Sequence, residues 1–247
     1  MLSQVLKMTT GYEMNALSGR ANGAVSARSL VEAAYGAVRQ DILSGDLAPG
    51  TKLMVELLKE RYNVGAGTLR EALIRLVGEA LVISEEQRGF RVASISIEDL
   101  ADLTRNRVFV EAEALRQAIE LGDDSWEADI VAAYHHLSKV EERLGATPET
   151  QSDDFEYRNR NFHRALIAAC PSRWLHHFHG ILFQQSERYR RIALTSRPVR
   201  RDVHAEHEGL MKAALARDSK LACRLASEHI ERTLDVLSKV LAAAAKK

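Results

Sequence analysis

A chain of 247 residues has room for one large domain or two modest ones, and an apolar content of 46% can fill a core. Thirty-four basic side chains balance thirty-four acidic ones, so any attraction for nucleic acid must come from local patches and not from net charge. No apolar run approaches the ~20 residues that span a bilayer. We therefore expect no membrane partner. Two cysteines cannot build a disulfide framework, so we expect a cytoplasmic protein.

The N-terminal stretch, residues 1–28, is punctuated by Gly, Ser and Ala and lacks a continuous apolar signal core. This composition predicts a flexible N-terminal arm. From residue 29 the pattern changes, because Leu30, Ala34 and Val38 recur at helical spacing. A first helix is therefore predicted over 29–44.

Two short helices and a hairpin follow. Helices are predicted over 54–61 and 66–80, with a tight turn at Asn63-Val64-Gly65 between them. Short strands at 81–83 and 90–92 flank a polar connection that ends in Gly, which predicts a small hairpin, or wing. Together these elements predict a winged helix-turn-helix DNA-binding domain over 29–94.

From residue 97 the chain consists of long helical stretches separated by short breaks. Six helices with short loops predict an all-α bundle over 97–245, so the expected fold is mainly α. The predicted helices lie near 97–121, 126–144, 151–169, 173–194, 200–216 and 219–245.

A winged helix-turn-helix suits duplex DNA, because the major groove admits one helix and a thin hairpin can reach the minor groove. Arginine can contact phosphate or read guanine, a threonine hydroxyl can donate to phosphate, and a glycine lets the wing backbone approach closely. The predicted DNA contacts are Thr68, Arg70, Arg75, Gln87, Arg88 and Gly89. Arg70 and Arg75 could equally be solvated charges beside Glu71 and Glu79.

In the helical half, Asn159 and His163 are four residues apart and share one helix face, while His207 and His229 lie on two later helices. Such groups could converge on a divalent ion inside a bundle. Spacing alone favours the simpler interpretation of a chance trio, since the chain has nine histidines and no HExxH arrangement.

The segment TLREALIRLVGEALV, followed by RGFRV, resembles the winged helix of the GntR superfamily of bacterial transcription regulators. Members typically show Ser-Arg-Thr-Pro-Val-Arg-Glu-Ala-Leu where this chain has residues 65–73. Gly65 and Ala66 replace the usual Ser-Arg pair, and Glu56 stands where the preceding helix often carries arginine. The resemblance therefore implies that Arg70, Arg75 and the wing carry more of the DNA binding than usual.

The resemblance extends over residues 30–240, and the helical half is similar to the ligand-sensing FCD domain of the FadR-type branch. That domain implies a metal held by an Asp-x-x-x-His pair, a histidine in a Glu-His segment and a histidine in the last helix. The matching residues here are Asn159, His163, His207 and His229. Asn159 replaces the usual acid, so the donors are neutral and an anionic further ligand is favoured. Imidazole ligands indicate zinc first and nickel second.

Within this branch the chain most resembles glutarate-responsive, carbon-starvation-induced repressors, on LVGEALVISEEQRGFRV, FHRALIAAC, ERYRRIAL and the pair Trp126-Glu127. This likeness implies a small carboxylate effector, and a dicarboxylate such as glutarate fits it. Arg107, Arg188 and Arg190 are the candidates to bind a second carboxylate, because arginine grips such groups with two hydrogen bonds. An equal alternative is that Arg107 simply pairs with Glu111.

The expected function is that of a homodimeric repressor, not an enzyme, in which the effector shifts the placement of the two DNA-binding modules on an operator. Two other functions stay open. One is a metal-dependent hydrolase that uses the histidines. Glu206 and Glu208 flank His207, but they are expected to point away from the position that a general base would need. The other is a helical interaction module whose winged helix binds protein.

Overall fold

The computed structural model describes residues 18–86, 88–144, 152–194 and 201–244. Most of the predicted arm, residues 1–17, lies outside the described residues. The chain divides into two compact units, with Ala93 at the end of the first and Ser94 in the second; the short segment Leu43–Pro49 also belongs to the second. The fold is mainly helical, with an N-terminal winged helix-turn-helix and a C-terminal helical domain, which confirms the predicted fold class.

The N-terminal unit begins with α1 (Ser18–Ser44), whose first residue precedes the predicted start at residue 29. Val31, Ala34 and Val38 are buried, whereas Leu30 is 47% exposed, so the buried face runs through Val31 and not through Leu30. Spacings of three and four residues between the buried positions keep that face on one side of the helix.

The helix-turn-helix consists of α2 (Val55–Arg61) and α3 (Ala66–Gly78), close to the predicted bounds. Asn63 turns the chain between them with a φ of 50°, a left-handed conformation that asparagine adopts more readily than most residues. On α3, Leu69, Leu73 and Leu76 are fully buried, so this helix is fixed to the core by one face only.

The wing has three strands: β1 (Lys52–Leu53), β2 (Val82–Glu85) and β3 (Gly89–Val92). They pair antiparallel in the order β1-β3-β2, with Val82 opposite Val92. The sequence predicted the hairpin but missed β1, because two residues after a turn are too few to show alternation.

The second unit contains the six predicted helices, and their observed bounds are close to the predicted ones. They are α4 (Ile97–Leu121), α5 (Asp124–Leu144), α6 (Ser152–Leu166), α7 (Arg173–Leu194), α8 (Val203–Leu215) and α9 (Ser219–Ala244). Ser96 caps α4 by accepting a hydrogen bond from Asp99 N at 3.0 Å, and Asp202 caps α8 in the same way. None of the helices in the described part of the chain combines the length and apolarity of a membrane span.

The helix α4 lies against α7 and α9, while α5 packs on α6 and α8. The second half of α4 is apolar inside, where Ala114, Leu115 and Ala118 join Phe162 and Leu210 in the largest core. The middle of α4 instead turns polar side chains inward, and near its start the buried residues are again largely apolar. The interior of this domain therefore changes character along one helix.

The corner between α4 and α5 depends on a glycine. A Cβ added to Gly122 would stand 2.5 Å from Trp126 Cδ2 and 2.8 Å from the carbonyl oxygen of Ala118. Trp126 cannot move easily, because its Nε1 donates to the carbonyl of Ala165 at 3.0 Å and Arg217 stacks on its ring at 4.8 Å.

We therefore expect Gly122→Ala to destabilise the helical domain by about 1–3 kcal/mol, the usual cost of overpacking. The melting temperature, measured by scanning calorimetry, should fall by several degrees. Gly180→Ala is the matched control, because Gly180 lies within α7 with no atom within 4 Å of an added Cβ. Alanine should stabilise that helix by up to about 1 kcal/mol. A Gly122→Ala protein that melts with the wild type would contradict the prediction.

Candidate functional site

Three histidines from three helices meet in the interior of the helical domain. His163 lies on α6, His207 on α8 and His229 on α9, and all three are buried. One ring nitrogen from each can be chosen so that the three atoms lie within 4.8 Å of one another. The structure thus brings together the three histidines that the sequence singled out, and we call them the histidine cluster.

Each imidazole of the histidine cluster places its Nδ1 against a carboxylate. The pairs are His163 with Glu111 at 3.4 Å, His207 with Glu141 at 2.6 Å, and His229 with Glu206 at 2.8 Å. A carboxylate on Nδ1 favours the tautomer that carries its proton there, which leaves the Nε2 lone pair available. This carboxylate–histidine arrangement is the one that orients imidazoles toward a metal ion.

The Nε2 atoms of His163 and His207 are buried and have no hydrogen-bond partner among the residues that the structure describes. Buried polar atoms are nearly always satisfied, so such exceptions call for an explanation. A metal ion bound by these nitrogens would supply one, because it would accept the lone pairs that no protein donor reaches.

The charge states of the cluster suit metal binding. Burial lowers the pKa of His163 to about 3 and lowers the pKa of His229 well below its usual value, so both rings are neutral near pH 7. Burial alone would raise the pKa of Glu111, but Arg107 and His163 outweigh it and hold that pKa well below its usual range. Neutral imidazoles beside ionised carboxylates are the protonation states that ligation requires.

Asn159 is the fourth residue that the sequence singled out as a metal ligand. It lies one turn before His163 on α6, is buried, and its Oδ1 has no hydrogen-bond partner within the described residues. Three imidazole nitrogens and one amide oxygen form a donor set that fits zinc or nickel.

Two of the three predicted effector arginines lie against Phe183, a buried residue of α7. Arg107 Cζ is 4.5 Å from the Phe183 ring centroid, and its Nε donates to Glu111. Arg190 Cζ is 4.8 Å from the same centroid, and the guanidinium donates to both carboxylate oxygens of Glu156, at 3.0 and 2.7 Å. The alternative in which Arg107 pairs with Glu111 is therefore the arrangement found in the structure.

The third arginine, Arg188, lies elsewhere on α7. Its Nη1 donates to the carbonyl oxygen of Ser94 at 3.4 Å, and Asp99 and Tyr189 are its charged and polar neighbours. Arg188 is thus placed at the segment that enters α4, whereas Arg107 and Arg190 are placed at Phe183.

Sequence reasoning missed several residues of this site. His179 and Phe183 are four residues apart on α7, a spacing that could have been recognised as one shared face. Glu141 gave no local signal, because it reaches His207 across 66 residues of chain. Glu206 was expected to point in another direction than His207, and the structure agrees, because its carboxylate accepts a hydrogen bond from His229.

On the winged helix, Arg70 is exposed and no hydrogen bond or ion pair holds it within the described ranges. Arg75 is also exposed, but its Nη1 pairs with Glu32 at 2.7 Å and its guanidinium stacks on Tyr35 at 4.2 Å. The two arginines of α3 therefore differ: one is available to a partner, and the other is already engaged.

The remaining predicted DNA contacts lie at the start of α3 and at the wing. Thr68 is partly buried, whereas Arg88 and Gly89 are exposed. Gly89 has a φ of 90°, a backbone conformation that residues other than glycine rarely adopt, so the wing turn requires a glycine here. Gln87 lies outside the described residues.

A winged helix-turn-helix followed by a helical domain with a histidine-lined interior is the architecture of a DNA-binding regulator with a ligand-sensing domain. Residues 30–92 match the family model for bacterial regulatory proteins of the gntR family, and residues 102–232 match the FCD domain. The chain therefore belongs to the GntR family of transcriptional regulators, in the FadR-type branch that carries an FCD domain.

Curated relatives and solved structures agree with this assignment. The uncharacterized HTH-type transcriptional regulator BphR of Paraburkholderia xenovorans is 46% identical over 85% of this chain and 86% of its own length. The HTH-type transcriptional repressor GlaR of Escherichia coli is 37% identical over 84% of this chain and 96% of its own. The crystal structure of a GntR family member from Pseudomonas syringae is 26% identical, with a TM-score of 0.53 over 90% of this chain and 89% of that chain.

The geometry of the histidine cluster predicts how its members affect metal content. After zinc loading and dialysis, His163→Ala should retain little zinc by plasma mass spectrometry, because it removes a ligand nitrogen. Glu141→Gln should lower zinc affinity by roughly 10- to 100-fold, the usual effect of losing a partner that orients a ligand. His136→Ala, on the exposed face of α5, should match the wild type. An equal zinc content in the wild type and in His163→Ala would contradict the proposed metal site.

Proposed function

We propose that the protein is a dimeric repressor whose binding to operator DNA is controlled by a small carboxylate, such as the dicarboxylate glutarate. The acid would bind at or near a divalent metal, zinc or alternatively nickel, in the histidine cluster. The observation that carries this proposal is the set of three buried histidines whose ring nitrogens can be chosen to lie within 4.8 Å of one another. The relative GlaR, which is named a repressor, supports the direction of control.

The charge balance around the cluster favours an acidic effector. All four donors are neutral, so a bound dication keeps its two positive charges in the ligand shell. Of the three carboxylates behind the histidines, Glu111 is paired with Arg107, and Glu206 is paired with Arg201 at 2.5 Å. Among the described residues, Glu141 is the member of this trio without a guanidinium partner, so at most one negative charge offsets the two of the ion, and the site would attract a further carboxylate.

The hydrolase alternative lacks support from the residue nearest to a general-base role. Burial would raise the pKa of Glu206, but its hydrogen bonds with His229 and Arg201 outweigh burial and hold that pKa far below its usual value. A carboxylate so strongly stabilised in its ionised form is a weak base. The relatives are transcriptional regulators, which favours the same conclusion.

For DNA recognition, α3 would enter the major groove and the wing would reach the adjacent minor groove. Arg70 is the main candidate for a base or phosphate contact, because Arg75 is engaged by Glu32 and Tyr35. Exposed apolar residues on the packed pair α4 and α7 support a dimer, since Phe109 is 74% and Trp174 is 54% exposed. Two subunits would then occupy two operator half-sites.

The helix α7 offers a route from effector to DNA. One part of its surface carries Phe183 and Arg190 in the polar interior. Its Tyr189 hydroxyl donates to Asp99 Oδ2 at 2.5 Å and lies 3.4 Å from the backbone N and O of Ser96. A shift of α7 on effector binding would therefore move the segment that precedes α4, and this difference between two states is what couples the sites.

Arg70→Ala should weaken binding to a duplex selected from random DNA by roughly tenfold or more, because one good contact contributes about 1–3 kcal/mol. Fluorescence anisotropy at fixed salt gives the affinity, and circular dichroism checks the fold. Arg224→Ala is the matched control, an equally exposed arginine on α9 of the helical domain. An unchanged binding midpoint for Arg70→Ala would exclude Arg70 from the interface.

Tyr189→Phe removes only the hydroxyl that holds Asp99 and Ser96. We expect DNA affinity without effector to stay within about twofold of the wild type, while the change in affinity caused by saturating glutarate falls by several-fold. Tyr157→Phe is the control, because Tyr157 is an exposed tyrosine of α6. If both variants respond to glutarate as the wild type does, the Tyr189 hydroxyl has no part in the coupling.

A further inference from the structure

A fourth buried imidazole lies beside the histidine cluster and has no role in it. His179, on α7, is 3% exposed, and its Nε2 is buried without a hydrogen-bond partner in the described part of the chain. The nearest carboxylate oxygen, Glu111 Oε1, is 3.8 Å away, beyond hydrogen-bond distance. A buried ring nitrogen left in this state costs free energy unless a ligand satisfies it.

His179 shares its surroundings with Arg107. Both lie against Phe183, with the His179 ring centroid at 5.6 Å and Arg107 Cζ at 4.5 Å from the Phe183 centroid. Within the described residues, the hydrogen bond of Arg107 runs from Nε to Glu111, which leaves its Nη groups as further donors. Two kinds of donor therefore face the same aromatic ring.

Glu111 and Phe183 connect this pair with one member of the histidine cluster, His163. Glu111 contacts Arg107, lies 3.4 Å from His163 Nδ1 and 3.8 Å from His179 Nε2, so one carboxylate reaches this pair and the Nδ1 side of one cluster ring. The ring of His163 also packs on Phe183, with centroids 5.3 Å apart. One small molecule could therefore extend from the cluster to His179 across Phe183.

We propose that His179 and Arg107 form a second anion subsite, which binds the distal carboxylate of a dicarboxylate whose first carboxylate lies at the histidine cluster. The inference rests on the proposed function and deepens it, because it names the feature of the effector that the site selects. His179 would donate from Nε2 and Arg107 from its Nη groups. Phe183 would pack against the carbon chain between the two carboxylates.

This subsite accounts for selection of diacids over monoacids. A distal carboxylate would satisfy the buried Nε2 of His179 and accept a charge-assisted hydrogen bond from Arg107. A monoacid of the same length would place a methyl group there and leave both donors unpaired in a buried space. Sites built to hydrogen-bond a polar group reject analogues that lack it far more strongly than apolar pockets reject a methyl group.

The test compares glutarate with valerate, two five-carbon acids that differ only in the second carboxylate. Calorimetric titrations of the zinc-loaded full-length protein should show glutarate binding roughly tenfold or more tightly than valerate. His179→Phe removes the donor and keeps an aromatic ring against Phe183. We expect it to lower the ratio of the two affinities by several-fold, because Arg107 is then the one remaining donor of the subsite, with valerate affinity and zinc content unchanged.

His179→Asn keeps an N–H donor and should retain part of the preference, so the expected order is wild type, Asn variant, Phe variant. His177→Phe, an exposed histidine on the same helix, should behave as the wild type. A wild-type ratio in His179→Phe would overturn the subsite and leave the proposed function standing. Loss of zinc in His179→Phe would assign His179 to the metal site and overturn the subsite. An equal loss of preference in His179→Phe and His179→Asn, with lowered melting temperatures, would assign His179 to packing and overturn the subsite as well.

A wild-type protein that binds neither acid would overturn the proposed effector class, and the subsite with it. The two failures are therefore distinct, because one appears only in the variants and the other already in the wild type.

Discussion

Burial of charged and polar groups inside a small helical domain is the constraint on which the rest of this structure depends. An isolated buried charge is too costly to keep, so each one needs a partner of opposite sign with good geometry. The domain meets this requirement with pairs such as Arg107 with Glu111 and Arg190 with Glu156. Among the described residues, Nε2 of His163 and of His207 and Oδ1 of Asn159 are buried outside such pairs, and these three atoms mark the candidate site.

The same helix supplies both stability and the site. In its second half, α4 buries Ala114, Leu115 and Ala118 in the largest apolar core. In its middle, it turns Arg107 and Glu111 into the interior. An apolar replacement of a buried ion pair is often neutral or stabilising, so stability alone gives little reason to keep polar groups here. Their value lies in orienting His163 and in carrying donors to the neighbourhood of Phe183.

Local patterns predicted the parts of this protein that depend on near neighbours in sequence. Breaks at glycine and proline located four of the five boundaries between the six helices of the second unit, and the polar connection ending in Gly89 located the wing. The parts that were missed depend on distant neighbours. No local pattern reveals that Glu32 engages Arg75 across 43 residues, or that Glu141 orients His207. The histidine cluster itself was indicated by family resemblance and not by spacing, because other histidines on helices, such as His136, lie on the surface.

In the proposed site, the replacement of an acid by Asn159 would link metal and effector more closely than a carboxylate would. With a carboxylate in the shell, part of the ion's charge is neutralised before any effector arrives. With an amide, that neutralisation is left to the effector, so the acid and the metal should each bind more tightly when the other is present. Linkage requires these two increases in affinity to be equal. The factor by which the metal strengthens acid binding is the same factor by which the acid strengthens metal binding. A sensor built this way responds to the acid only as far as the metal is available, and its neutral donor set is the physical reason.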